Sequence, residues 1–160
     1  KTLRADSTFS RTGMPEYLLV FRKWARDGEA EAVAPVTHTK ESFPVEEWQD
    51  HASPVWNFST QDLPETEVLN VKVARSDKDE KHLCPMPLNI TRRALRLWSR
   101  PGDTVFSPFM GIGSEGVVSL EEGRRFLGTE LNPAYFRQAA KNLADVAANG
   151  ATGDLFAVGG

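Results

Sequence analysis

Gly111, Gly113 and Glu130 are the residues whose types and spacing most directly suggest chemistry. Glycines lack side chains, so backbone amides beside them can come close to a ligand. A helix starting just after them would aim partial positive charge at the same place. Glu130 follows Gly111 by 19 residues, at the end of the next apolar stretch. A carboxylate there can accept hydrogen bonds from both hydroxyls of a ribose. The plain alternative is a tight turn and a surface glutamate.

Two cofactor classes use such a cradle. Gly111, Gly113 and Gly116 match the dinucleotide pattern Gly-x-Gly-x-x-Gly letter for letter. In dinucleotide folds, however, the first glycine follows its strand almost at once and turns beneath the pyrophosphate. Here Ser107-Pro108-Phe109-Met110 intervenes. A wider loop suits the methionine and ribose of S-adenosylmethionine, which has no pyrophosphate. The methyl donor is therefore favoured over nicotinamide.

Positioning these residues requires a strand–loop–helix–strand–helix order, and the chain supplies it. Pro87 opens a helix carrying Ile90, Ala94, Leu97 and Trp98 at helical spacing, and Pro101-Gly102-Asp103 ends it in a turn. Thr104–Phe106 reads as a strand, and Val117, Val118 and Leu120 lie on a short helix that stops at Gly123. Residues 125–129 form the next strand. Asn132 and Pro133 cap and open a helix with its stripe at Phe136, Ala139, Ala140, Leu143 and Ala147. This is a βαβ unit with a parallel pair at its heart. Upstream, residues 16–23 read as a buried strand and Val45 to His51 as a short helix.

Ser107-Pro108-Phe109-Met110-Gly111-Ile112-Gly113-Ser114 resembles the D-P-F-x-G-x-G-T signature of DNA amino-methyltransferases. Gly128-Thr129-Glu130-Leu131-Asn132-Pro133-Ala134-Tyr135 resembles their ribose-binding segment. His82-Leu83-Cys84-Pro85-Met86-Pro87 and the helix after it are similar to what precedes the glycine loop in the permuted, beta-type order, and Met14–Lys23 to a late strand. Gly113-Ser114-Glu115-Gly116 is similar to phage-borne members.

The resemblance implies an α/β, Rossmann-like S-adenosylmethionine-dependent methyltransferase fold, present here in part, with a mixed sheet. It implies cofactor contacts from His82, Cys84, Pro85, Ser107, Phe109, Gly111, Gly113, Ser114, Glu130 and Asn132. The implied organisation is a late core strand at 1–23, a linker with part of a target-recognition region at 24–81, the cofactor-binding core at 82–147 and a flexible tail at 148–160. Ser107 departs from the usual Asp and removes a carboxylate that could meet the cofactor's amino group. Ser114 departs from Thr but keeps the hydroxyl.

Family members place the target amino group with Asp/Asn/Ser-Pro-Pro-Tyr/Trp, whose aromatic ring stacks on the flipped base. This chain has no Pro-Pro pair. Asn132-Pro133-Ala134-Tyr135 is better explained by helix capping, and Ser53-Pro54-Val55-Trp56 by a packing tryptophan. No catalytic residue is assigned. The tetrapeptide is expected upstream in the same protein, in keeping with a chain that begins at Lys1 rather than Met. An unpaired sheet edge would then invite self-association into a homodimer. The rival readings are a non-catalytic cofactor-binding or DNA-specificity module, and a small-molecule methyltransferase.

The 160 residues suffice for one domain with a real core, and no apolar run is long enough to span a membrane. A lone cysteine and three scattered histidines exclude a disulfide framework and suggest no metal site, so a reducing cytoplasm is expected. Double-stranded DNA is the partner that the resemblance implies. The net charge of −3 gives that partner no general attraction, so contact would need clustered cations. Arg92, Arg96 and Arg100 share a helix face and are the candidates, with an ordinary solvated face as the alternative.

Overall fold

The computed structural model describes residues 17–23, 36–56, 67–70 and 86–156, with the backbone alone for 151–156. Two compact units divide the chain, at 1–35 and 36–160. In the first, residues 17–23 form no regular element, and Tyr17 and Phe21 are exposed. The buried strand expected at 16–23 is therefore not formed over its described residues. A strand is stable only with a neighbour to take its backbone hydrogen bonds, and this segment has no ladder partner among the described residues.

The second unit carries helix α1 (Val45–His51), helix α2 (Leu88–Trp98), strand β1 (Thr104–Ser107), helix α3 (Ser114–Glu121), strand β2 (Arg125–Gly128) and helix α4 (Pro133–Phe156). Pro87 stands immediately before α2, where its missing N–H costs nothing. Asn132 caps α4: its Oδ1 accepts from the Ala134 N–H at 2.9 Å. Within the stretch expected as a flexible tail, α4 runs on to Phe156. Extending an existing helix adds a hydrogen bond per residue, and each glycine detracts only about 1 kcal/mol.

β1 and β2 pair in parallel, with Thr104 opposite Arg125 and Ser107 opposite Gly128. Both ends of the pair are fastened. At the start, Gly102 N–H donates to Gly123 O at 2.8 Å and Arg125 N–H to Asp103 O at 2.8 Å. At the finish, Met110 N–H donates to Thr129 O at 3.0 Å and Thr129 N–H to Ser107 O at 3.0 Å.

The core gathers around α3, which touches α2, α4 and both strands. Val117, Val118 and Ser119 are buried in it, and Met110, Ile112, Leu88 and Ala139 close it. Gly116 allows a close approach: a Cβ there would stand 2.6 Å from Leu143 Cδ2 and 2.7 Å from Phe126 Cδ1. The opposite side of the strands is open, with the register partners Phe106 and Leu127 exposed by 55% and 60%.

α1 docks on α2 through charge and rings. Arg93 meets the Asp50 carboxylate at 2.7 Å, Arg96 pairs with Glu47, and Phe43 lies edge-on to His38 and His51.

Candidate functional site

At the carboxyl end of the two strands the chain between Ser107 and Ser114 forms a loop fastened from outside itself. Gly111 and Gly113 adopt φ of 55° and 91°, the left-handed region that glycine enters without strain. Gly113 is also the residue before α3, so the helix starts directly on the loop. Thr129 Oγ1 donates to Pro108 O at 2.7 Å, and Asn142 Nδ2 donates to Ile112 O at 2.9 Å.

Glu130 stands just beyond β2. Its Oε2 accepts from the Gly111 N–H at 3.0 Å and its Oε1 from the Asn132 N–H at 2.8 Å. Each carboxylate oxygen has two lone pairs, so one on each remains for a further donor. A vicinal diol offers two such donors. Phe109 in the loop and Leu131 next to Glu130 in sequence are apolar side chains exposed by 86% and 97%.

The structure brings Ser107, Gly111, Gly113, Ser114, Glu130 and Asn132 to the loop, and Ser107 and Ser114 are buried there. Asn132 is committed to capping α4 and to Glu130. His82, Cys84 and Pro85 lie outside the described residues. The rest of the loop's fastening comes from Thr129, Asn142 and Gln138, which sequence reasoning missed. Their roles depend on contacts across the fold, and only the Thr beside Glu130 had a local hint.

Ser53 and Trp56 are engaged in local packing. Ser53 Oγ donates to Val55 O at 3.0 Å, and Trp56 donates to His51 O at 2.9 Å while stacking on Trp98. Arg92 and Arg96 share the face expected of them, but that face is occupied. Arg92 reaches Glu121 at 2.7 Å and Glu122 at 3.2 Å, and Arg96 pairs with Glu47. Arg100 lies 3.9 Å from Asp103. Carboxylates thus answer all three charges from within the chain.

Glu115, in the first turn of α3, is the half-buried acid nearest the loop in sequence. Burial pushes its carboxyl above the usual range.

A family model described as DNA methylase, of the N6/N4 methyltransferase type, matches residues 5–141. Type II methyltransferase M1.MboII of Moraxella bovis is 35% identical over 53% of this chain and 30% of its own length. DNA adenine methyltransferase YhdJ of Escherichia coli K12 is 36% identical over 46% of this chain and 24% of its own. Among solved structures, TTHA0409 of Thermus thermophilus is described as a putative DNA modification methylase and was crystallised with S-adenosyl-L-methionine. It superposes with a TM-score of 0.51 at 26% identity, over 73% of this chain and 40% of its own. The chain thus spans less than half the length of these relatives.

Proposed function

The chain belongs to the N6/N4 DNA methylase family, and from that premise we propose that it is the cofactor-binding part of a DNA amino-methyltransferase using S-adenosylmethionine. The observation that carries the reading is the Glu130 carboxylate locked to Gly111 at 3.0 Å with lone pairs to spare. When bound, the cofactor supplies an activated methyl group on a sulfonium sulfur.

The residues present fit that group. Glu130 would take the ribose hydroxyls, and the backbone from Phe109 to Gly113 would shape the wall of the cradle. Each acts by holding and orienting, which is how a donor carbon is kept in line with an acceptor nitrogen. Glu130 needs no rearrangement, because its two backbone hydrogen bonds already fix the plane of the carboxylate.

The acceptor is the exocyclic amino group of adenine or cytosine in double-stranded DNA, in a beta-type, phage-like member of the family. Its tetrapeptide belongs to a segment upstream of the strand-like run at 16–23. The absence of any Pro-Pro pair also supports a second reading, a cofactor-binding or specificity module without chemistry of its own.

Titration calorimetry of the chain with S-adenosylhomocysteine and with NAD tests the cofactor. Heat from NAD and none from S-adenosylhomocysteine would overturn the reading. Labelled methyl transfer to DNA, by the chain alone and mixed with a separately made segment carrying the tetrapeptide, separates the enzyme from the module. Activity restored only by mixing is the expected result.

A further inference from the structure

One of the side chains that fasten the glycine loop belongs neither to the loop nor to the end of β2. Asn142, in the third turn of α4, donates Nδ2–H to the Ile112 carbonyl at 2.9 Å. Its neighbour fixes which end of the amide faces the loop. Gln138, one turn earlier on the same helix, donates Nε2–H to Asn142 Oδ1 at 2.8 Å. With the oxygen engaged by Gln138, the amide presents its N–H group to Ile112.

The peptide so held sits at the critical point of the loop. Ile112 is buried, and the next residue, Gly113, carries the φ of 91° that leads the chain into α3. Gly113 N–H donates to Met110 O at 2.8 Å, so the peptide is bonded on both of its polar atoms. A peptide flip would turn the Ile112 carbonyl away from Asn142 and break both bonds at once. Ordinary packing of α4 on the loop needs no such amide pair. At this very contact the apolar partner is Ala139, whose Cβ lies 3.3 Å from where a Gly113 Cβ would be.

We propose that Asn142, oriented by Gln138, is a positioning residue for the cofactor. It holds the Ile112–Gly113 peptide so that the loop is already shaped when an adenosine-bearing ligand arrives, and it does not touch that ligand. The proposal rests on the reading of the loop as a cofactor site, and its test has one arm that needs no cofactor.

Two variants of the 160-residue chain probe the pair. Asn142→Asp has no N–H to offer and turns a carboxylate toward the carbonyl. Gln138→Glu leaves Asn142 in place but can only accept, so it draws the amide nitrogen toward itself and leaves oxygen facing oxygen. In ¹⁵N-labelled, ligand-free protein, both variants are expected to shift the Gly113 amide resonance. Both should also speed exchange of the Gly113 amide by about three- to tenfold, the net worth of one hydrogen bond. The amides in the middle of α4 should keep their exchange rates. Affinity for S-adenosylhomocysteine should fall by a similar factor. A Gly113 resonance and exchange rate unmoved in Gln138→Glu would overturn the proposal, even if Asn142→Asp fails to fold. A parent chain that binds no S-adenosylhomocysteine would instead count against the proposed function, while the ligand-free measurements would still decide the role of Asn142.

Discussion

Glu130 and Gly111 are 19 residues apart in sequence and 3.0 Å apart in space, joined by a backbone N–H that donates into the carboxylate. The acid expected only to meet a ribose is therefore also part of the loop's own architecture. Glu130→Ala should weaken S-adenosylhomocysteine binding by about 1–3 kcal/mol through loss of charge-assisted hydrogen bonds. Glu130→Gln should be nearly as damaging, because an amide has a single acceptor oxygen for the two backbone N–H groups of Gly111 and Asn132. Calorimetry on both variants checks this, and a Gln variant that binds as tightly as the parent would refute it.

Gly116 leaves no room for a methyl group, with Leu143 and Phe126 at 2.6 and 2.7 Å from the site of a Cβ. Gly116→Ala should destabilise the fold by about 1–3 kcal/mol, the usual cost of overpacking a core. The higher helix propensity of alanine offsets at most about 1 kcal/mol of that. Urea denaturation measures the balance. An unchanged midpoint would show that α3 and α4 can part cheaply.

Neutralising Arg92, Arg96 and Arg100 together should lower the melting temperature, because their partners are Glu121, Glu122, Glu47 and Asp103. Each partly exposed pair contributes no more than about 1 kcal/mol, and the loss should shrink as salt is raised. Under the proposed function, DNA binding by the chain together with its upstream segment should keep the same salt dependence. A flattened slope would return these arginines to the phosphate backbone.

His51 faces Phe43 edge-on, with Arg93, Glu47 and Asp50 around it. Burial first, and then Arg93, push its pKa below the ordinary 6.5. The folded state therefore favours neutral imidazole. Stability from this site is fully present above about pH 6.5 and is lost as pH falls toward the depressed folded value. Melting temperatures taken from pH 7.5 to 5 should fall, and His51→Gln should flatten that part of the curve. An identical curve in the variant would assign the fall to other groups.

Glu115 gives the opposite slope. Its carboxyl is raised by burial, so its protonated form is favoured in the fold. Stability from this site is greatest below the ordinary 4.5 and declines as pH rises through the folded value. Glu115→Gln should melt higher than the parent at pH 7 and match it near pH 4. A variant that melts lower at pH 7 would mean that the carboxylate has a stabilising partner.

Local chemistry made much of this legible. Turn glycines at 102 and 123, the proline before α2 and the Asn-Pro pair before α4 each act within a few residues, and the elements fall where those residues put them. The glycine loop and its acid were legible for the same reason. What stayed hidden depends on distance along the chain. The amide of Asn142 meets Ile112 across 30 residues, and the carboxylates that claim Arg92 and Arg96 come from other helices. Residues 17–23 show the converse failure: their apolar, strand-forming composition does not make a strand, because composition supplies no partner.

The parallel pair carries its own fastenings. Gly102 to Gly123 and Asp103 to Arg125 close one end, Thr129 and Glu130 close the other, and Asn142 secures the loop, all within some forty consecutive residues. None of these grips reaches outside that stretch, although α2 packs on α3 and Arg124 donates back to the Ser99 carbonyl at 2.9 Å. A chain in which other segments come before or after residues 102–142 would keep these internal bonds, so the cradle travels with its own stretch of sequence.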